Sequence, residues 1–328
     1  SGNFKINVPR DRDSSFEPKL VKKREKDISN TEDIILLLYQ KGLSTRDIQD
    51  YLLKVYNYDI SPETISNITN RVLEKAKEWQ NRPLEEIYPI VFIDGLVCKV
   101  KEDGEVKNKT VYIMIGITLE GRKEVLGIWI LETETAKFWL NILNELKNRG
   151  VRDILIVCSD NLPGIEAAVR GAFPKSEIQV CIVHQIRNSL RLVSYKDLKE
   201  ISKDLKEIYQ APTEEMALMA LDRFEEKWGK RYPHIVNSWR NNWESLATFF
   251  KYPPEIRRLI YTTNPIESLN SQIRKLNRNR VIFPNDEALF KGVYLAVMEV
   301  TRKWTGKMRD WHLILAELAI YFEDRLGG

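Results

Sequence analysis

The chain has 328 residues, 43% hydrophobic and 30% charged, and its 51 Lys and Arg are nearly balanced by 47 Asp and Glu. That length exceeds the roughly 250–300 residues at which one hydrophobic core stops growing, so two or more domains are expected. A net charge of +4 excludes a uniformly basic surface, and any nucleic-acid face must be a local patch.

No apolar stretch approaches the ~18 residues of a membrane span. Cys98, Cys158 and Cys181 are an odd number scattered through apolar segments, which argues for a reducing cytoplasm and against a disulfide framework. The opening Ser1-Gly2-Asn3-Phe4 shows no secretory pattern and no initiator methionine, as expected of a trimmed or tagged chain.

Residues 1–30 read as a basic arm, with Lys19, Lys22, Lys23, Arg24 and Lys26 opposed nearby only by Glu25. It is either a solvated tail or an arm lying on DNA phosphates, with Lys22, Lys23 and Arg24 as the contacts. Residues 31–82 have the spacing of three short helices, the third opening at Ser61-Pro62-Glu63-Thr64 with proline in its first turn. They fit a helix-turn-helix presenting Ser61, Thr64, Ser66 and Asn67 to DNA, and equally a plain helical dimerisation unit. The charged stretch 75–86, with Pro83, is the expected boundary.

From Ile87 the pattern turns to strands. Tyr88–Val100 runs Ile90-Val-Phe-Ile93 directly into Asp94-Gly95, as in a strand buried on both faces. Polar turns at Lys101–Lys109 and around Gly121 separate it from strands at Thr110–Thr118 and Glu124–Leu131, an antiparallel meander. A helix over Ala136–Lys147, a strand over 153–159 ending in Asp160, a helix from about Pro163 to Phe173 and a strand over Ile178–Val183 follow. The order βββαβαβ is that of a ribonuclease H-like domain, whose first and fourth strands lie side by side. Asp94 and Asp160 are therefore expected to meet. A carboxylate in such a strand needs a partner cation or a metal, although each aspartate alone could simply end a strand.

Residues 191–258 are helical throughout and read as an all-α insertion, with Trp228, Trp239 and Trp243 chiefly as its core. The complete expectation is α/β: a ribonuclease H-like catalytic domain in two parts (83–190 and 259–328) interrupted by that insertion. The small helical domain precedes it. Two aspartates are too few for two hard cations. A third acid is offered by Tyr261-Thr-Thr-Asn-Pro-Ile-Glu-Ser-Leu-Asn270, where Asn264 caps a helix and Glu267 lies near its start. Beyond it Arg274, Lys275, Arg278 and Arg280 continue with no acid between Asn270 and Arg280. An ordinary first-turn glutamate, favoured by the helix dipole, is the plainer reading of Glu267 alone.

Phe92-Ile-Asp-Gly95, Cys158-Ser-Asp-Asn-Leu-Pro-Gly164, Cys181-Ile-Val-His184, Trp239-Arg-Asn-Asn-Trp243 and Thr262-Thr-Asn-Pro-Ile-Glu-Ser-Leu-Asn270 together resemble the Mutator-type transposases of bacterial insertion sequences. The resemblance implies a DDE transposase with Asp94, Asp160 and Glu267 as catalytic triad and metal ligands, and Cys181 and His184 as accessory residues beside them. It implies copy-out/paste-in transposition through a circular intermediate, by a homodimer or larger assembly in a cytoplasmic, nucleoid-associated setting. Its partners would be the double-stranded terminal inverted repeats and target DNA. Arg187, Asn264 and Asn270 join the basic residues after Glu267 as candidate DNA contacts.

The chemistry agrees with this. Three crowded carboxylates raise one another's pKa unless cations neutralise them, and two Mg²⁺ about 3.5–4 Å apart, or Mn²⁺ in their place, would do so. Cys181-x-x-His184 is only half a zinc site. A ribonuclease H-fold endonuclease or junction resolvase, and a non-catalytic DNA-binding relative, are the competing functional readings.

Overall fold

The computed structural model describes residues 29–131, 135–278 and 280–326. Lys22, Lys23 and Arg24 lie outside the described residues. The chain begins with α1 (Ser29–Gln40), α2 (Thr45–Tyr56) and α3 (Pro62–Gln80), followed by β1 (Ile87–Glu102), β2 (Glu105–Ile117) and β3 (Lys123–Leu131). Next come α4 (Ala136–Asn148), β4 (Asp153–Ser159), α5 (Ile165–Ala172), β5 (Glu177–Val180) and α6 (Ile182–Leu190). A helical block holds α7 (Tyr195–Tyr209), α8 (Glu214–Trp228), α9 (Pro233–Asn241), α10 (Trp243–Leu246), a 3₁₀ turn (Ala247–Lys251) and α11 (Pro254–Ile260). The last elements are α12 (Asn264–Leu276), β6 (Ile282–Phe283), α13 (Asp286–Thr301) and α14 (Trp311–Tyr321).

Two compact units divide the chain. The first comprises Ser1–Arg82, Leu96–Val111 and Leu269–Lys303; the second comprises Pro83–Gly95, Tyr112–Ser268 and Trp304–Gly328.

In the first unit, local chemistry sets the helix ends. Ser44 and Asp47 form a reciprocal capping box on α2, each side chain accepting the other's backbone N–H at 3.1 Å. Asn57, in the left-handed region at φ 54°, ends that helix. Ser61 caps α3 by accepting the Thr64 N–H at 3.1 Å, and Pro62 occupies the first turn, where no N–H is needed. Ile35, Ile48, Leu52, Ile65 and Ile68 then meet in one buried cluster.

Among the described residues the strands form one mixed sheet in the order β3-β2-β1-β4-β5, with β6 pairing β1 off that path. The Asp103-Gly104 turn has both residues at positive φ (50° and 85°), the geometry that folds a two-residue hairpin straight back. β1–β4 and β4–β5 are parallel. In the second unit Ile90, Val91, Phe92 and Ile93 of β1 are all fully buried, which explains the unbroken apolar run before Asp94. Their burial, at about 1.5–3 kcal/mol per side chain, offsets the cost of desolvating the aspartate that follows. Val91, Ile93, Ile154 and Val157 share a cluster with Trp139, Leu143, Ile165 and Val169 from α4 and α5.

In the helical block, Ile201, Leu205 and Ile208 of α7 are buried, as are Ala217, Leu221 and Phe224 of the α8 helix packed against it. Trp228 and Trp239 are buried as well, and Trp243 is half-buried, its Nε1 donating to Glu214 at 3.0 Å. Among the described residues no helix is long and apolar enough to cross a membrane.

Candidate active site

Strand register brings the first two acids together. Phe92 pairs with Cys158 and Ile93 with Ser159, the last rungs before Asp94 and Asp160. Asp160 directly follows the carboxyl end of β4, and Asp94 lies midway along β1, just past the point where its pairing with β4 stops. Asp94 is only 8% exposed, and its Oδ1 accepts the Gly95 N–H at 2.8 Å. The turn after Asp160 is held by Leu162 N–H to the Asp160 carbonyl (2.7 Å) and by Trp139 Nε1–H to the Pro163 carbonyl (3.2 Å).

The next element departs from expectation. The apolar run Ile178–Val183 does not continue as strand: β5 stops at Val180, and Cys181 is the N-cap of α6. Cys181 N–H still donates to the Ser159 carbonyl at 2.8 Å, but Ile182 N–H turns to the Tyr261 carbonyl at 3.2 Å. His184 therefore lies in the first turn of α6, with Arg187 nearly one turn beyond it.

Glu267 arrives from the other side. Thr262 Oγ1 accepts the Asn264 N–H at 3.2 Å, and the Thr263 carbonyl accepts the N–H groups of Ile266 (3.0 Å) and Glu267 (2.9 Å). Asn264 is itself the first residue of α12, so Glu267 stands in the first turn. Thr263 Oγ1 also donates to Cys181 Sγ at 3.5 Å, linking this turn to the β5–α6 junction.

His184 joins the acids. Its Nδ1 contacts Asp160 Oδ1, and its Nε2 lies 3.2 Å from Glu267 Oε1, which also accepts from Arg187 Nη1 at 2.9 Å. The hydrogen bond to Asp160, followed by that to Cys181, outweighs burial and pushes the imidazole pKa up to about 10. Burial alone would raise the Cys181 thiol, but hydrogen bonds with His184 and Thr263 hold it below the usual thiol value.

Asp160, Cys181 and His184 offer ligand atoms within 4.8 Å of one another. Cys181 is a soft donor and is 1% exposed. Asp94 and Glu267 fall outside that grouping; by donor chemistry alone, the oxygen ligands Asp94, Asp160 and Glu267 are the set that suits a hard divalent cation. Asp160 and Glu267 side chains are 26% and 24% exposed, so the cluster opens to solvent, as a polymeric substrate requires.

A family model described as Transposase, Mutator family matches residues 1–307. The chain belongs to that family. It is 45% identical over 321 residues to the transposase for insertion sequence element ISRM3 of Rhizobium meliloti strain 1021, covering 98% of this chain and 80% of that protein. Against a probable insertion-sequence transposase of Corynebacterium diphtheriae it is 44% identical over 340 residues, covering 98% and 99%. The IS256 transposase of Tn4001 from Staphylococcus aureus is more distant, 28% identical over 313 residues, covering 94% and 80%.

The residues proposed from sequence to touch DNA fall into different environments in this Mutator-family chain. Asn264, Arg274, Lys275 and Arg278 are exposed along and just beyond α12. Asn270, on the same helix, is fully buried. Ser61 and Thr64 spend their hydroxyls on the α3 cap, while Ser66 is half-buried and Asn67 exposed. Arg187 reaches Glu267, and Arg280 lies over the Tyr39 ring at 4.1 Å. Sequence reasoning did not find Thr263, whose carbonyl and hydroxyl hold the Glu267 turn. Its signal was the Thr-Thr-Asn-Pro start of that motif.

Proposed function

We propose that the chain is a DDE transposase, with Asp94, Asp160 and Glu267 as its catalytic carboxylates in a ribonuclease H-like domain carrying an all-α insertion. The observation that carries this reading is the meeting of Asp160, just past the end of β4, with Glu267 in the first turn of α12 across His184, while β1 pairs with β4 up to the residue before Asp94. In the proposed layout the basic arm and the domain over 31–82 hold DNA, and the domain over 83–328 performs the chemistry. The substrates are double-stranded insertion-sequence ends and target DNA, handled by a homodimer or larger assembly.

Asp94, Asp160 and Glu267 would hold the divalent cations, Mg²⁺ or Mn²⁺, which supply Lewis-acid neutralisation of the scissile phosphate. The chain's own side chains do the rest. His184 and Arg187 orient Asp160 and Glu267 and offset their mutual repulsion in the free protein. Arg187, 58% exposed, is placed to meet a phosphate oxygen entering from solvent. In nicking, a water oxygen forms a bond to phosphorus and the P–O3′ bond breaks, the departing 3′ oxygen taking up a proton. In joining, that 3′-OH attacks a target phosphodiester, loses its proton, and displaces the target's own 3′ oxygen. No covalent protein intermediate is required. One round on a single strand, followed by replication, gives the copy-out route with a circular intermediate.

The test supplies a pre-cleaved terminal-repeat duplex with a free 3′-OH and a plasmid target. Wild type is expected to join the two in Mg²⁺, and Asp160→Asn to bind the duplex with no joining. Joining by Asp160→Asn at the wild-type rate would refute the triad. Nicking without any joining by wild type would make the chain an endonuclease. Circle junctions absent from cells expressing active protein and element would remove the copy-out route alone.

A further inference from the structure

We propose that the first unit contains a receptor for a single backbone phosphate of DNA, in a cavity between the start of α2, the face of α3 and the β6–α13 junction. This rests on the reading of the chain as a DNA transposase and adds a site away from the carboxylate cluster. The cavity measures about 600 Å³. Two cations line it, Lys291 buried and Arg280 half-buried, and neither forms an ion pair with a carboxylate among the described residues.

Lys291, on α13, is 6% exposed; its Nζ donates to Asn70 Oδ1 at 2.8 Å and lies 3.4 Å from Thr69 Oγ1. Arg280 stacks over the Tyr39 ring at 4.1 Å and donates from Nη2 to the carbonyls of Leu43 (2.6 Å) and Tyr39 (3.3 Å). Its Nη1 is buried with no hydrogen-bond partner. Lys291 Nζ sits 5.6 Å from the same Tyr39 ring, so one aromatic side chain serves both charges. Burial holds both groups below their usual pKa, against the opposing pull of Glu287 on Lys291 and of Tyr39 and Asp47 on Arg280.

An arrangement of this kind destabilises the free protein, since a buried ammonium with no carboxylate in direct contact carries a desolvation cost that neutral hydrogen bonds and the more distant Glu287 only partly offset. It is stable enough to persist and would be relieved by an anion. The walls suit a tetrahedral oxyanion. Ser44, Thr45 and Ser66 border the space, Arg46 and Lys101 add positive charge at the lining, and Glu287 is its acid; Asp47 already caps the start of α2. Arg46 is exposed, so the cavity is reached from outside by a chain that runs past it. That access favours a phosphodiester over an enclosed small ligand.

The experiment uses the full chain with a labelled terminal-repeat duplex and an unrelated duplex, each titrated across a salt series. Lys291→Met removes the buried charge and leaves a side chain of similar length; Arg46→Gln removes a charge from an exposed position that the core does not need. Each variant is expected to bind both duplexes several-fold more weakly. The slope of log K against log salt should be shallower by about 0.9 per lost phosphate contact. Lys291→Met should melt at or above the wild-type temperature, whereas a purely structural lysine predicts a lower one. Unchanged affinity and slope in a folded Lys291→Met protein overturn the proposal; should that variant not fold, unchanged binding by Arg46→Gln does so. Inorganic phosphate separates the sources. If it raises the wild-type melting temperature while Lys291→Met binds DNA normally, the cavity takes free phosphate and the DNA assignment falls. Wild type that binds no DNA removes the transposase reading and this site together; intact binding with unaffected variants removes only this site.

Discussion

Gly164→Ala tests how the turn after Asp160 is held. Gly164 is the N-cap of α5 and has φ 78°, in the left-handed region. Its missing Cβ would stand 2.6 Å from the Ala136 nitrogen and 2.7 Å from the Ala136 Cα, both backbone atoms at the start of α4. The left-handed conformation costs an L-residue about 1–2 kcal/mol, and forcing a methyl against fixed backbone adds about 1–3 kcal/mol. The total is on the order of 2–5 kcal/mol, the sum of those two contributions. Gly104→Ala is the matched control: its φ is 85°, but nothing lies within 4 Å of the new Cβ, so only the conformational part, about 1–2 kcal/mol, applies. Amide hydrogen exchange under native conditions, read on α5 and on the β1–β2 turn, reports each local opening free energy separately. The Leu162 N–H bond to the Asp160 carbonyl couples this turn to the site, so Gly164→Ala should also slow cleavage while Gly104→Ala does not. Equal losses in the two variants would refute the close-approach argument.

Three further outcomes follow from the same contacts. His184 has its pKa raised from 6.5 to about 10, so its contact with Asp160 contributes stability that is full below about pH 6.5 and lost as pH rises through about 10. In EDTA the wild-type melting temperature should fall across that window more steeply than that of His184→Gln; parallel curves would contradict the contact. Arg325 clasps Asp153 at 2.8 Å through two nitrogens and donates to the carbonyls of Lys175 (2.7 Å) and Ile154 (3.0 Å). Arg325→Lys cannot reproduce that fork and should lose about 2–4 kcal/mol by urea unfolding, and a loss under about 0.5 kcal/mol would show the pair to be incidental. Ser61→Ala should lose about 1 kcal/mol from α3 and Ser61→Asp should retain the cap, as read by exchange of the first α3 amides; equal losses would place Ser61 outside the cap.

The strand and helix order around the site was legible because buried parallel strands leave unbroken apolar runs. Ile90–Ile93 and Ile154–Val157 are such runs, and the aspartates that end them are conspicuous. The pairing of β1 with β4 followed from that order. The run Ile178–Val183 was misread as a single strand, since six apolar-rich positions have no period that separates strand from helix. What divides it is distant in sequence: Ile182 N–H is taken by the Tyr261 carbonyl, and α6 then buries Ile182, Gln185 and Ser189. The two-residue β6 was too short to leave a pattern, and it shows itself only by pairing with Lys99 and Val100. The last helix runs over Trp311–Tyr321, and Arg325 beyond it reaches Asp153 at the start of β4. At the site, the acids carried a motif. The contact of Arg187 with Glu267, across the helical block in sequence, had no local signal.

The most direct measurement is Mg²⁺-dependent nicking of an end-labelled duplex carrying the element's terminal repeat, with wild type and Glu267→Gln side by side and duplex binding read in the same samples. Specific cleavage at the 3′ end by wild type, lost in Glu267→Gln with binding unchanged, is the predicted result. Cleavage by Glu267→Gln at the wild-type rate would contradict the account.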